Sequence, residues 1–173
     1  MFHRILSLEQ FQSSLHPHFH QNPDQFRIQW YVDAGSKAII MQAATAYPVA
    51  RYMDFFDYVP ASEIPGVLNR SSILLQLANT FASDGPKGFM TTKLFESMAV
   101  GKPLLCVKSD ESCLEATIRN TRSGLAARTA EEAFRFILHH YQFWQDNGYT
   151  HINTDKEAVE RFSRKKQAEQ FLR

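Results

Sequence analysis

The sequence predicts an α/β fold, a Rossmann-like three-layer domain built on a parallel sheet. Three observations carry that expectation. Short apolar or aromatic runs alternate with stretches of helical periodicity along the chain, the pattern of strands joined by helical crossovers. No two of those runs are joined by a two-residue hairpin turn, so successive strands are not expected to pair antiparallel. Leu104-Leu-Cys-Val107 is apolar without a break, as a strand covered on both faces must be.

The 173 residues, 44% hydrophobic and 21% charged, are ample for one buried core. A single domain is expected over 1–173, closed by a C-terminal helix at 153–173. A formal net charge of +1 gives no footprint for nucleic acid. No apolar run approaches the roughly 20 residues that span a bilayer, and Met1-Phe-His-Arg leads into a polar helical pattern rather than a secretory leader. The two cysteines, Cys106 and Cys113, form no disulfide framework, so reduced thiols and a cytoplasmic location are expected.

In chain order, Ser7 caps a helix over 7–19 with Leu8, Phe11 and Leu15 on one face. His16-Pro-His-Phe-His20 alternates histidines around a proline with no Cys or acidic partner, and reads as a polar loop rather than a metal site. Phe26-Arg-Ile-Gln-Trp-Tyr-Val32 is a strand. Asp33-Ala-Gly35 turns the chain without the glycine fingerprint of a dinucleotide site. A helix follows over 36–47 with Ile39, Ile40 and Ala43 inward, then a strand over 49–55. A short helix over 62–69 is interrupted at Pro65-Gly66, and 72–78 is an apolar strand. Beyond Val107, Lys108-Ser-Asp110 is a loop, 111–120 a helix and Leu125-Ala-Ala127 a strand. Thr129 caps a long helix through Gln145 with Phe134, Ile137, Leu138, Tyr141 and Trp144 as its apolar face. His139 and His140 are surface or packing residues within it, and Asn147-Gly148 stops it. The last helix covers 154–172, where Glu157, Glu160 and Glu169 dilute Arg161, Arg164, Lys165 and Lys166 into a solvated face.

The candidate site lies in the middle of the chain. Gly85 to Met90 is a loop, Thr91 or Thr92 an N-cap, and Leu94, Phe95, Met98 and Ala99 the buried side of a helix that Gly101 and Pro103 end. Thr91, Thr92 and Lys93 crowd the helix start, where free amides and the dipole attract an anion. Glu96 lies one turn further on, free to accept hydrogen bonds from a ligand's hydroxyls. A phosphate at the tip beside a diol is the outline of a nucleoside diphosphate. The same residues also fit a solvated Lys and Glu on an ordinary surface helix.

Thr91-Thr-Lys-Leu-Phe-Glu-Ser-Met-Ala-Val-Gly-Lys-Pro-Leu-Leu105 resembles the donor-site signature of GT-B glycosyltransferases, in particular the large retaining family 4. The resemblance extends upstream to Phe55-Phe-Asp-Tyr-Val-Pro-Ala-Ser-Glu-Ile-Pro-Gly-Val-Leu-Asn-Arg-Ser-Ser-Ile-Leu-Leu75, and downstream to Ser123-Gly-Leu-Ala-Ala and Thr129-Ala-Glu-Glu-Ala. It implies the C-terminal, nucleotide-sugar-binding half of such an enzyme. Glu96 would bind the ribose, and Lys93 with the amides of Thr91 and Thr92 the diphosphate. Tyr58 and Val59 lie in the segment that holds the base. The resemblance further implies a UDP- or GDP-linked sugar donor, no metal or other cofactor, and polysaccharide or cell-envelope glycan synthesis. The acceptor site would come from an N-terminal domain or a partner chain. Peripheral membrane association of the full enzyme is compatible with it. No catalytic residue is assigned: Gly88 stands where relatives carry a glutamate facing the donor sugar, and the chain alone is expected to be incomplete for turnover.

Two rivals remain on the sequence: a binding or interaction module that keeps the fold without turnover, and another enzyme class on the same architecture, such as a nucleotide-sugar epimerase. A P-loop is excluded, because Gly101-Lys102 as its final Gly-Lys would put the first glycine on Glu96.

Overall fold

The computed structural model describes residues 26–45, 48–78 and 90–172. The expected helix over 7–19 and most of the loop before the central helix lie outside the described residues. The chain divides into two compact units, Met1–Ile64 and Pro65–Arg173. Both are α/β, and every strand pair in them is parallel, as the alternation predicts.

In the first unit, β1 (Ile28–Tyr31) pairs with β2 (Met53–Phe56), Trp30 opposite Phe55. Tyr31 stacks on Phe56 at 5.0 Å between ring centroids, a cross-strand aromatic pair of the kind that fixes register. Between the strands lie α1 (Ala34–Ala44) and a 3-10 turn, Pro48–Tyr52. Helix α1 begins two residues earlier than expected, because Asp33 is its cap rather than part of a turn. Asp33 Oδ1 accepts from the Ser36 N–H at 2.9 Å. The inward residues are Ile40, Ala43 and Ala44, while Ile39 is exposed. The second strand is shorter than expected, since the tight turn occupies its first half.

The second unit opens with α2 (Ile64–Arg70), which Pro65-Gly66 does not interrupt. A proline in the first helical turn removes only an N–H that has no acceptor there. The sheet has the order β3 (Leu74–Leu77), β4 (Leu104–Val107), β5 (Gly124–Ala127). Helix α3 (Thr92–Val100) precedes β4 and α4 (Cys113–Asn120) precedes β5. Leu74, Leu104, Cys106 and Ala126 face Leu94 and Met98 of α3 and Leu114 and Ile118 of α4, forming the core. Leu105 and Ala127 alternate to the opposite face and are also buried; α5 (Ala130–Asn147) packs on β4 and β5. Helices thus lie on both faces of this sheet, though Leu75 and Leu77 on the α5 face of β3 are exposed.

Gly124 makes the β4–β5 contact possible. A Cβ there would lie 1.7 Å from the Leu104 carbonyl oxygen, so no larger residue fits that approach. Helix α5 carries a capping box, Thr129 accepting from the Glu132 N–H while Glu132 reaches back to the Thr129 N–H. It ends at Gly148 with φ +77°. Its deepest residues are Ala130, Ala133, Ile137 and His140, so His140 is a packing residue. The expected last helix is two, α6 (Lys156–Glu160) and α7 (Arg164–Phe171). Ser163 caps α7 by accepting from the Lys166 N–H, and Phe162 at the break stacks on Phe95 of α3 at 5.5 Å. A cap and a half-buried ring packed on the core together outweigh the continuous helical pattern.

Candidate functional site

In a parallel βαβ unit the helix runs back across the sheet, so α3 and α4 both start beyond the carboxyl ends of the strands, where ligands bind in open α/β sheets. Gly101, left-handed at φ +72°, ends α3, and Pro103 leads straight into β4, as expected. Leu94 and Met98 are fully buried, but Ser97 takes the buried place expected for Ala99, which is exposed. The helix is thereby rotated so that Thr91, Thr92, Lys93 and Glu96 are all exposed.

Thr91 is the N-cap residue, with extended backbone, but its side chain makes no capping bond. The Leu94 N–H donates to the Thr91 carbonyl at 3.1 Å. Among the described residues no side chain accepts from the amides of Thr92 or Lys93, and neither Lys93 nor Glu96 has an ion-pair partner. Among the described residues the start of α3 therefore presents unpaired amides, a lysine ammonium and, one turn on, a carboxylate. Such a set can hold an anion at the tip and accept hydrogen bonds beside it.

The other two predicted residues belong to the first unit. Val59 is half-buried. Tyr58 is 70% exposed and its hydroxyl donates to Asp33 Oδ2 at 3.0 Å. The Asp33 carboxyl is lowered to about 2, first by the Ser36 backbone N–H, then by the Ser36 hydroxyl and Tyr58. The carboxylate in turn raises the Tyr58 phenol. This cluster is an internally satisfied helix cap.

At the start of α4 the structure reveals a network that sequence reading passed over as a loop. Asp110 Oδ1 accepts from the N–H groups of Ser112 and Glu115, and Oδ2 from that of Leu114, all at 3.0 Å. Behind it, the Ser109 hydroxyl donates to Glu115 Oε2 at 2.6 Å. Arg128, just past β5, donates to both Glu115 oxygens, at 3.1 and 2.7 Å. The hydrogen bonds from Arg128 and Ser109 lower the Glu115 carboxyl to about 2. The readable signal was Ser109-Asp110 directly before a predicted helix, a capping composition; the Arg128 contact, from the far side of a strand, had none.

Among the described residues no cluster of three or more His, Cys, Asp or Glu side chains is placed to hold a metal ion, and no helix is long and apolar enough to cross a membrane. Cys106, buried in β4, and Cys113, exposed, are both free thiols; burial raises Cys106 to about 12. No protein-family model matches the sequence, and no curated protein matches it either.

Proposed function

We propose that this chain is the nucleotide-sugar-binding half of a cytoplasmic GT-B-type glycosyltransferase. The observation that carries the reading is the open start of α3, where unpaired amides, Lys93 and Glu96 lie together with no internal partner among the described residues. The parallel sheet supports it, because the carboxyl ends of parallel strands are where this architecture takes ligands. In this reading the amides of Thr91 and Thr92 and the Lys93 ammonium hold the diphosphate of a UDP- or GDP-linked sugar, and Glu96 accepts hydrogen bonds from the ribose hydroxyls. As the glycosidic bond breaks, charge grows on the leaving diphosphate. Fixed amide dipoles and a lysine stabilise that charge more than the ground state, so the residues provide leaving-group electrostatics without a metal. The acceptor and the second half of the cleft come from another domain or chain, in the synthesis of a polysaccharide or envelope glycan.

Calorimetric titration with UDP, GDP and their sugars, on the wild-type chain and on Glu96→Ala, tests the proposal. One nucleotide should bind saturably, and the variant should bind it more weakly by about 1.5–3 kcal/mol, roughly 10- to 150-fold. A folded chain that binds none of them either needs the other half of the cleft to complete its site or is an interaction module retaining the architecture.

A further inference from the structure

The far edge of the second unit's sheet carries a separate surface. Strand β5 pairs with β4 on one side and, among the described residues, with nothing on the other. The Leu104 N–H donates to the Ser123 carbonyl and the Ser109 N–H to the Ala127 carbonyl, which fixes which residues of β5 address β4. By alternation, the N–H and C=O groups of Gly124 and Ala126 point outward, and among the described residues no hydrogen bond is made to them there. They open onto a cleft of about 350 Å³ between β5 and α4, with an apolar floor that includes Ile118 and Leu125.

The cleft's charge is uneven. Arg119 and Arg122 stand at its rim with side chains 71% and 63% exposed. Its one lining acid, Glu115, has a side chain only 15% exposed, committed to Ser109 and Arg128. Arg122 meets Asp155 at 3.3 Å and Arg119 meets Glu115 only at 3.8 Å. Asp155, partly exposed, offsets Arg122, so the uncompensated charge beside the open edge is that of Arg119, and it is positive. A second copy of this chain paired edge to edge would set those arginines against their own counterparts, which argues against self-association here.

We infer that β5 is a docking edge for an extended, acidic peptide segment of a partner protein, which adds a strand to the sheet through Gly124 and Ala126 and places its carboxylates against Arg119 and Arg122. Main-chain pairing would supply affinity and the arginine rim selectivity, the division of labour usual in strand addition. The short strand and paired charges limit unselective pairing.

Amide exchange followed by NMR on the full chain is the first test. The Gly124 and Ala126 amides should exchange freely while those of Leu125 and Ala127 are protected; protection of all four means the edge is already covered and overturns the inference. A displayed library of random peptides, panned on the full chain at low salt, is the second. Enriched peptides should be rich in Asp and Glu, and their binding should slow exchange at Gly124 and Ala126. Replacing both arginines, Arg119→Gln with Arg122→Gln, should weaken that binding about tenfold. Ala126→Pro, which deletes an outward N–H and spares the β4 ladder, should do the same. Enrichment of basic or uncharged peptides, no enrichment, or binding that leaves Gly124 and Ala126 exchange unchanged overturns it.

Discussion

Helices α3 and α4 start at the same edge of one sheet and are finished in opposite ways. At α4 the chain supplies its own anion: Asp110 fills three amides, and Glu115 is locked by Ser109 and Arg128. At α3 the cap residue makes no side-chain bond, and the charged groups face solvent. A helix start is a fixed electrostatic resource, with unpaired N–H groups and a positive dipole end. When a carboxylate from the same chain occupies it, the resource goes into stability; when none does, those groups are not used within the chain. The difference is one of occupancy rather than of fold, and that makes it testable.

The largest effect breaks both starts together. Gly124→Ala puts a methyl inside the Leu104 carbonyl, and forcing β4 and β5 apart should cost about 3 kcal/mol or more. A urea titration should show the loss, or the protein should fail to accumulate as a folded species. Next, Asp110→Ala opens the α4 start. It should cost about 1–2 kcal/mol by urea unfolding, whereas Thr91→Ala, which removes no capping bond, should stay within about 0.5 kcal/mol. Equal costs for the two would erase the contrast.

Acid should sharpen the comparison. Burial lowers His140 to about 4, with the neighbouring His139 adding to it. Between the ordinary histidine value of 6.5 and about 4, the unfolded chain binds a proton that the native chain does not, so stability falls as pH falls through that window. Glu115 works through its charged form. Its contribution is complete above the ordinary value of 4.5 and is lost as pH falls towards about 2. Urea midpoints measured against pH should decline in these two stages. His140→Gln should flatten the first, and Arg128→Gln should move the second to higher pH by releasing Glu115. The smallest effect belongs to Glu96→Ala, which should leave stability within about 0.5 kcal/mol while weakening nucleotide binding, a separation of fold from site that Asp110→Ala cannot give.

Local backbone chemistry was the legible part of this protein. Gly101 and Pro103 announce the end of α3 because few other residues suit a left-handed stop followed by a strand, and Thr129 with Glu132 announces α5 through a reciprocal pair of cap bonds. Asp33 was legible too: a cap three residues before Ser36 is a helix-start signature, which a turn reading overlooked. The break between α6 and α7 was not, because Phe162 is drawn onto Phe95 from more than sixty positions earlier in the chain, and no periodicity encodes that. Nor was the burial of His140, which depends on the face α5 turns to the sheet.

The sequence by itself determined the alternation of strands and helices, the parallel pairing and the helix start that carries Lys93 and Glu96, because periodicity, turn chemistry and capping act over a few neighbouring residues. Only the tertiary structure decided which helix start is filled and, among the described residues, which is open, and that β5 closes the sheet as an edge strand. Those outcomes depend on where Arg128, Glu115 and Gly124 arrive after the chain has crossed the sheet, and a contact between distant residues leaves no local signal in the order of amino acids.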